Sequence, residues 1–244
     1  MFYFNTDGLV IKVNYTDEAD RILAILSRDR GVIRAFAKGA RRPKSKLHAG
    51  TGFLCYSNLQ VCDSKETLKI TEASIIELFY EARCEIDKLA LSEHFCELAL
   101  ELCPEGEPAA EYLRLVLNAL HFLASGQKAQ LLLKSIVQLR MLSLAGYMPG
   151  LIACDECGEY ETDHMYFDCL SGLLYCDKCH KAGQRLPLSV ISAMRHIVFS
   201  DFAKCFSFSL AEPALSELSE VCSMYLKNKT QRDYPALDFY MSLL

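Results

Sequence analysis

Two pairs of cysteines in the second half of the chain have the spacing of a metal site. Each pair reads Cys-x-x-Cys and eighteen residues separate them, the four residues being Cys154, Cys157, Cys176 and Cys179. Two intervening residues let a tight turn aim both sulfurs at one ion, and the longer insert can fold back as a hairpin. Four thiolates at about 2.3 Å complete a tetrahedral zinc shell without an open position for water or substrate. The pattern therefore predicts one structural Zn2+ ion.

Two other kinds of site use paired cysteines and stay open as alternatives. The segment from Cys176 to His180 matches the C-x-x-C-H pattern of haem attachment, and either pair could be a redox-active dithiol. Haem attachment leaves the first pair unexplained. A thioredoxin-like dithiol belongs at a helix start in a βαβ unit, which this region does not resemble. His164, Cys169 and His180 lie close enough in sequence to act as substitute ligands, although the four cysteines are favoured.

A basic stretch in the first half of the chain is a second candidate site. Residues 28–46 hold eight Lys or Arg and one acidic residue, a net charge of +7, which leaves −12 for the rest of a chain whose net charge is −5. Local field rather than net charge guides an anionic partner. Gly39 and Pro43 disfavour a helix here. The predicted phosphate-contacting residues are Lys38, Arg41, Arg42, Lys44 and Lys46 on a loop, with Arg28 and Arg34 as weaker candidates on adjacent strands.

This loop could simply be solvated, but the density of its charges favours an anionic ligand. Like charges on one loop repel each other unless an anion relieves the repulsion, and a phosphate backbone is the natural candidate. Phe36, Phe53 and Tyr56 could supply surfaces for base stacking, and each is also a candidate for the core. The sequence thus predicts a nucleic-acid interface.

Catalytic motifs are not evident. The sequence has neither a phosphate-cradling glycine-rich loop nor H-E-x-x-H. Glu93, Glu97 and Glu101 recur every four residues, as on a water-exposed helix face. The prediction is therefore that the protein is not an enzyme. The alternatives are a zinc enzyme that modifies nucleic acids and a zinc-stapled interaction scaffold with incidental DNA contact.

The elements that must position these groups change character near residue 78. Upstream, five short strands in about 70 residues suit a small closed barrel, and they are predicted at Leu9–Val13, Arg21–Leu26, Val32–Ala37, Phe53–Cys62 and Leu68–Ile75. Downstream, the apolar spacing is helical, with Pro108 in a first turn. The predicted helices cover Leu91–Leu102, Leu113–Leu123, Leu132–Leu142, Ser189–Ser200, Pro213–Asn228 and Asp233–Leu244.

Composition is that of a globular chain in a reducing compartment. With 244 residues, 51% of them hydrophobic, the chain can bury a sizeable core. Apolar runs stay shorter than the roughly 18 residues that cross a bilayer, and the N-terminus lacks the pattern of a secretory signal. Twelve cysteines in a chain of this length therefore indicate metal binding and core packing rather than disulfides. We expect a cytoplasmic protein without membrane contact.

With these residues in view, the sequence resembles the bacterial RecO family of recombination-mediator and DNA-repair proteins. Residues Glu18–Gly31 look like the second strand and hairpin of that family, and Lys38–Ser45 look like its basic loop. Leu142–Pro149, just before the first cysteine pair, is similar to the family's approach to its zinc module. The order of parts fits over the whole length of the chain.

The resemblance implies an α+β protein, with a five-stranded OB-fold barrel followed by an all-α domain that carries an inserted four-cysteine zinc module. The implied parts are residues 1–78 for the OB-fold domain, 79–150 and 184–244 for the helical domain, and 151–183 for the module. It further implies binding to single- and double-stranded DNA and annealing of strands. The implied partners are RecR and single-stranded-DNA-binding protein, with loading of RecA onto gaps, in the nucleoid of the bacterial cytoplasm.

Overall fold

The computed structural model describes residues 2–16, 18–64, 67–179 and 183–244. Its strands are β1 (Phe2–Thr16), β2 (Asp20–Ser27), β3 (Gly31–Ala37), β4 (Cys55–Asp63), β5 (Leu68–Leu78), β6 (His164–Asp168), β7 (Leu173–Tyr175) and β8 (Gln184–Pro187). Its α-helices are α1 (Ile86–Leu102), α2 (Ala110–Ser125), α3 (Gln130–Leu144), α4 (Leu188–Phe199), α5 (Ala214–Thr230) and α6 (Pro235–Ser242). The chain divides into two compact units, Met1–Ser125 with Ala236–Leu244, and Gly126–Pro235.

The first unit contains the five strands that the sequence predicts, hydrogen-bonded as a closed barrel in the order β1-β2-β3-β5-β4. The barrel closes through β1, whose first half pairs with β4 and whose second half pairs with β2. A register shift between Val10 and Lys12 accompanies this change of partner. The predicted first strand, Leu9–Val13, was too short, because the half that pairs with β4 is mostly polar or exposed and lacks a clear apolar alternation.

Alternate residues of the strands fill the barrel. The inward set is aliphatic, and its buried members are Val10, Leu23, Ile25, Ile33, Ala35, Ala37, Leu59, Val61 and Ile70. Ala40 and Leu47, from the connection between β3 and β4, join the same core. Because inward and outward side chains alternate along a strand, Arg34 of β3 faces outward between the buried Ile33 and Ala35.

The turn between β2 and β3 is bound by the segment that joins α1 to α2. The Val32 N–H donates to the Pro104 carbonyl at 3.0 Å, and the Gly106 N–H donates to Arg30 O at 3.0 Å. Gly31 has φ +60°, and a Cβ added there would lie 1.8 Å from the Pro104 oxygen. Only glycine tolerates both the left-handed backbone and this approach. The barrel is therefore hydrogen-bonded to the connection between α1 and α2.

The helices of the first unit begin close to where the sequence places them. Pro108 is an exception, because it lies two residues before α2 rather than in the first turn. On α1, Glu93 and Glu101 are exposed as predicted, whereas Glu97 is half-buried. The Glu97 carboxylate accepts a hydrogen bond from the Ala236 N–H at 3.2 Å, in the first turn of α6. Glu97 thus caps the C-terminal helix rather than facing water alone.

The second unit packs α3 against α4 and α5 and carries a small sheet in the order β7-β6-β8. The segment with the four cysteines lies between α3 and α4, and β6 and β7 form the hairpin between the two pairs. Pro213 and Pro235 stand at the starts of α5 and α6, as predicted.

The two compact units group the helices differently from the predicted domains, since α1, α2 and α6 cluster with the barrel and α3–α5 with the cysteine segment. The boundaries at residues 78, 150 and 183 stay predictions. Among the described residues, every helix is too short or too polar to cross a bilayer.

Candidate metal centre and nucleic-acid interface

The sulfur atoms of the four predicted cysteines converge. The Sγ atoms of Cys154, Cys157, Cys176 and Cys179 all lie within 4.8 Å of one another. Those of Cys157 and Cys176 are 3.6 Å apart. A tetrahedron with zinc–sulfur bonds of about 2.3 Å has sulfur–sulfur edges of about 3.8 Å. The four side chains are therefore spaced as the ligands of a single ion.

The first pair lies in a tight turn. Gly158 closes it with φ +75°, and its N–H donates to the Cys154 carbonyl at 2.9 Å. The Asp155 N–H donates to Leu174 O at 2.8 Å, which joins this turn to β7. The side chains of Cys154 and Cys157 consequently point to one side of the turn, as the two-residue spacing predicts.

The second pair follows the β6–β7 hairpin, and the Cys179 N–H donates to Cys176 O at 3.2 Å. At the hairpin's tip, the Asp168 carboxylate accepts from the N–H groups of Leu170 at 2.9 Å and Ser171 at 3.2 Å. A hydrogen bond from the Ser171 side chain and these backbone donors hold the pKa of Asp168 below its usual value. The hairpin is thereby fixed at its tip and returns the second pair to the first.

Backbone donors around Cys154 prepare it to act as a thiolate. Burial raises the pKa of this thiol, but the backbone N–H groups of Cys157, Cys176 and Glu156 outweigh burial and lower the pKa to about 6. Metal ions bind the deprotonated sulfur. The donor set thus fits a soft divalent ion such as zinc in its chemistry as well as in its spacing.

The substitute ligands do not join this cluster. His164 Nδ1 lies 3.0 Å from the Arg185 guanidinium, and its Nε2 lies 3.7 Å from the Asp177 carboxylate. Burial raises the pKa of Cys169 to about 11, which disfavours its thiolate. His180 lies outside the described residues. Among the described residues, the four cysteines are the group placed to hold a metal ion.

Arg195 on α4 is a supporting residue that sequence reasoning missed. Its guanidinium is nearly buried and donates to the carbonyls of Leu151 at 2.7 Å, Ile152 at 3.0 Å and Tyr160 at 2.8 Å. Its central carbon also lies 4.3 Å from the centre of the Tyr160 ring. These carbonyls flank the first cysteine pair on both sides. Arg195 therefore anchors the chain that carries the pair to a helix.

Lys134 on α3 is a second residue that the sequence did not single out. Its side chain is fully buried, and Nζ donates to Ser219 O at 2.8 Å and to Ser223 Oγ at 2.6 Å on α5. Burial lowers the pKa of Lys134 to about 8. The sequence signal that could have identified Lys134 is its position among the apolar residues of a helical pattern. A lysine at such a position indicates a buried hydrogen bond between helices.

The segment after β3 is a series of turns rather than a helix, as Gly39 and Pro43 predict. We call residues 38–46 the basic loop. All seven predicted phosphate-contacting residues are exposed, namely Arg28, Arg34, Lys38, Arg41, Arg42, Lys44 and Lys46. Exposure leaves their charges available to a solvated polyanion.

Hydrogen bonds beneath the basic loop fix its position. The Gly39 N–H donates to the Asp20 carboxylate at 2.6 Å. Arg21, nearly buried, donates to His48 O and to Thr51 Oγ1, both at 2.9 Å. With Ala40 and Leu47 in the barrel core, as described above, the loop is held at both ends. It presents its cations from a defined surface.

The basic loop extends toward β1 through an aromatic contact. The Arg41 guanidinium lies over the Tyr15 ring, 4.9 Å from its centroid, and Tyr15 is 68% exposed. Next to the loop, Ile22 and Phe36 pair across β2 and β3, and Phe36 pairs with Lys69 on β5. Sequence reasoning named Arg41 and Phe36 but missed Tyr15, Ile22 and Lys69. These residues come together only when the barrel closes.

A groove lies beside the Ile22–Phe36 pair. It has a volume of about 490 Å³ and is lined by Ile22, Arg34, Ala35, Phe36, Asp63, Thr67 and Leu68. Half-buried Phe36 offers part of its ring there, and Arg34 offers a charge. A cation and an aromatic ring in one groove are the pairing that proteins use to bind single-stranded nucleic acid.

The structure does not bring the two weaker candidates into the basic loop. Arg28 lies at the other end of β3, about 20 Å away at 3.3 Å per residue, and pairs with Asp7 at 3.2 Å. Arg34 lies midway along β3 and is 3.7 Å from Glu105. Tyr56, predicted beside the loop, instead lies on β4, where it pairs with Leu9 of β1. Burial, followed by the charge of Asp7, raises the pKa of its hydroxyl.

Comparison with protein families matches nearly the whole chain. Residues 1–79 match the model described as Recombination protein O N terminal, and residues 83–238 match Recombination protein O C terminal. The junction between the two matches falls in the short segment after β5.

Full-length relatives give the same result. The chain is 37% identical over 246 positions to the DNA repair protein RecO of Acetivibrio thermocellus, covering 100% of this chain and 98% of the relative. It is 27% identical to the protein of the same name from Symbiobacterium thermophilum, with 100% and 98% coverage. It is 29% identical to that of Dehalococcoides mccartyi, with 98% and 96% coverage.

Proposed function

Since this chain belongs to the RecO family of DNA repair proteins, we propose that it binds DNA in recombinational repair and anneals complementary strands without a chemical step. Annealing requires two polyanions to approach each other. A concentrated positive surface lowers their mutual repulsion, so that base pairing supplies the remaining free energy. The exposed basic loop is the observation on which this proposal depends.

The strand order supports an OB-fold interpretation of the barrel. Five strands that close in the order β1-β2-β3-β5-β4 form a small barrel whose β2–β3 face and flanking loops bind oligonucleotides in that fold. The groove beside Ile22, Arg34 and Phe36 lies on this face. We propose that single strands occupy this groove and that their phosphates contact the basic loop.

The contacts we propose are mainly to phosphate. Lys38, Arg41, Arg42, Lys44 and Lys46 are exposed cations on turns. Lys38, Arg42 and Lys44 also line a cleft of about 380 Å³, which is sized for a phosphate group and its neighbouring sugar. Phosphate contacts carry no sequence information. Binding should therefore be similar for all sequences, which suits a protein that must act wherever a gap occurs. Arg28 and Arg34 remain secondary contacts in this proposal.

We propose zinc as the ion of the four-cysteine group, one per chain and structural in role. When bound, it would cross-link two turns and neutralise thiolates. A shell of four sulfurs leaves no position for a water or substrate, which supports a non-enzymatic protein. Cys154, Cys157, Cys176 and Cys179 would hold the ion, with Arg195 anchoring the flanking chain.

The partners we propose follow from family membership rather than from a surface on this chain. They are RecR and single-stranded-DNA-binding protein, with loading of the RecA recombinase onto single-stranded gaps as the downstream step. Because DNA is the proposed ligand, we propose that the protein works at the nucleoid in the bacterial cytoplasm. The inserted position of the cysteine segment within one helical domain belongs to the same proposal.

A fluorescence anisotropy titration of labelled single-stranded DNA tests the DNA contact. Arg42→Glu, and the double variant Arg41→Glu with Arg42→Glu, should weaken binding of every sequence tried, because each change turns an attraction into a repulsion. Lys204→Glu is a matched control, since Lys204 is an exposed cation of the second unit with the same change of charge.

The expected order of affinity is wild type and Lys204→Glu, then Arg42→Glu, then the double variant. Strand annealing, followed by fluorescence quenching of complementary labelled strands, should fall in the same order. Equal affinity of the double variant and the wild type at low salt would remove the basic loop from the DNA-binding surface.

A further inference from the structure

The C-terminal half of β5 is a sheet edge that no strand among the described residues covers. β5 pairs with β3 only through Leu68 and Lys69, whereas its pairing with β4 continues to Leu78. The loop before β4 closes over Ala73, where a Cβ added to Gly50 would lie 2.8 Å from the Ala73 Cβ. Beyond that point, among the described residues, Ser74–Leu78 has backbone ladder bonds on its β4 side alone.

This edge is also unusually apolar for an exposed strand. Ile75 is 43% exposed, Ile76 is 51% exposed and Leu78 is 42% exposed, and Tyr80 beyond them is 63% exposed. A long apolar edge is a template for another strand, and proteins normally blunt such an edge with charges. The register shift near Ile76 bends this strand but leaves its side chains in solvent.

The charges along the edge indicate what it would accept. Residues 70–83 contain three acidic side chains, Glu72, Glu77 and Glu81, and one basic side chain, Arg83, whose guanidinium lies 5.8 Å from the Tyr80 ring. This end of the barrel is thus opposite in sign to the basic loop. DNA would be repelled from it, and so would a second copy of the same edge, because like charges on facing strands are destabilising.

We propose that the Ser74–Leu78 edge of β5 takes up an extended segment of a partner protein, in which Lys or Arg alternates with aliphatic residues, as an additional strand. The backbone of that segment would bond to the free ladder groups of β5. Its aliphatic side chains would cover Ile75, Ile76 and Leu78, and its cations would pair with Glu72 and Glu77. Strand addition of this kind draws affinity from the main chain and specificity from alternate side chains.

A synthetic peptide provides the probe. We would titrate the full-length protein with a fluorescent peptide in which Lys or Arg alternates with Val or Ile, and follow anisotropy. Binding should be saturable, and amide hydrogen exchange should slow at Ser74–Leu78. The same peptide with alternate amides N-methylated keeps its charge but loses its backbone donors, and it should not bind.

Two exposed positions test the side-chain contacts without disturbing the core. Glu77→Lys should weaken the peptide by about fivefold, since it replaces a cross-strand attraction with a repulsion. Ile76→Thr keeps strand propensity and removes apolar cover, and it should also weaken the peptide. Circular dichroism confirms that both variants fold. The Arg41→Glu and Arg42→Glu double variant should bind the peptide as the wild type does, which separates this surface from DNA binding.

Three results would overturn the proposal. The first is equal binding of the methylated and unmethylated peptides, which would mean charge attraction alone. The second is slowed exchange elsewhere than at Ser74–Leu78. The third is concentration-dependent dimerisation in sedimentation equilibrium that Ile76→Thr abolishes, because the edge would then belong to a second copy of the chain.

Discussion

The Arg41 guanidinium lies over the Tyr15 ring at 4.9 Å, and this contact joins the basic loop to the end of β1. The Arg41 N–H also donates to Ala19 O at 2.9 Å in the turn before β2. One residue thus carries a charge that we propose contacts phosphate, and it holds an aromatic ring at the surface. Charge and ring together would serve an unpaired strand better than a duplex, whose bases are already stacked.

Tyr15→Ala should therefore weaken single-stranded DNA more than duplex. Loss of one base-stacking ring costs about 1–3 kcal/mol, and duplex binding should change by much less. Anisotropy titrations with both forms of DNA measure the difference. Tyr80→Ala is a matched control, because Tyr80 is similarly exposed beneath an arginine, at 5.8 Å from Arg83. Equal losses on both forms of DNA would contradict a stacking role for Tyr15.

The salt dependence of binding should report the five cations of the basic loop. Each phosphate contact contributes about 0.9 to the log–log slope on duplex and about 0.7 on single strands, so the slopes should approach −4.5 and −3.5. The Arg41→Glu and Arg42→Glu double variant should give slopes shallower by about two contacts. A slope near zero for the wild type would show that binding does not depend on phosphates.

Replacement of Cys176 by Ser should release the metal and unfold the cysteine segment. Structural zinc contributes on the order of 10 kcal/mol to the folding of small zinc modules. Native mass spectrometry should find one zinc ion per wild-type chain and none in the variant. Cys84→Ser is the control, because Cys84 is exposed and lies outside the cluster. A stable wild-type chain that carries no metal would refute the structural role.

Lys134 should make stability depend on pH in the alkaline range. Burial lowers its pKa from 10.5 to about 8, so the unfolded chain binds more protons than the folded chain between these values. Lys134 alone should then add about 3 kcal/mol of stability between pH 8 and 10.5, and the cost of burying its charge is fully present below pH 8. Buried thiols such as Cys96 and Cys222 act in the opposite direction above about pH 9, because burial raises their pKa in the folded chain. Urea denaturation of the wild type and of a variant without the lysine, at several pH values, isolates the Lys134 contribution.

Lys134→Met removes the titrating group, so the stability of this variant should fall more steeply with pH than that of the wild type between pH 8 and 10.5. The exposed Lys204, replaced by Met, should leave the wild-type pH dependence unchanged. A Lys134→Met curve parallel to that of the wild type would mean that the buried amine does not titrate in this range.

Local patterns in the sequence predict most of the architecture and the metal cluster. Strand alternation, the change to helical spacing near residue 78 and the Cys-x-x-Cys pairs are short-range signals, and each corresponds to an element of the structure. The first strand was predicted only in part, because its N-terminal half is stabilised by pairing with β4, which is distant in sequence. A polar segment carries little sequence signal of the strand with which it pairs.

The supporting residues could not be predicted for a related reason. Arg195 and Lys134 look like ordinary polar residues of amphipathic helices, and only the packed fold shows that they bond buried carbonyls. Likewise, the position of Arg28 far from the basic loop follows from the direction of β3. A count of charges along the sequence assigns Arg28 and the basic loop to one cluster, although β3 separates them.

The bonds that Val32 and Arg30 make to the α1–α2 connection bear on how this protein is divided for experiments. A fragment ending at residue 79 would contain every strand of the barrel, yet it would leave the Val32 N–H and the Arg30 carbonyl without their partners at Pro104 and Gly106. Such a fragment should expose a frayed hairpin that aggregates. A fragment through Ser125 would keep both of these bonds, and joining Ala236–Leu244 to it would restore α6, which belongs to the same compact unit.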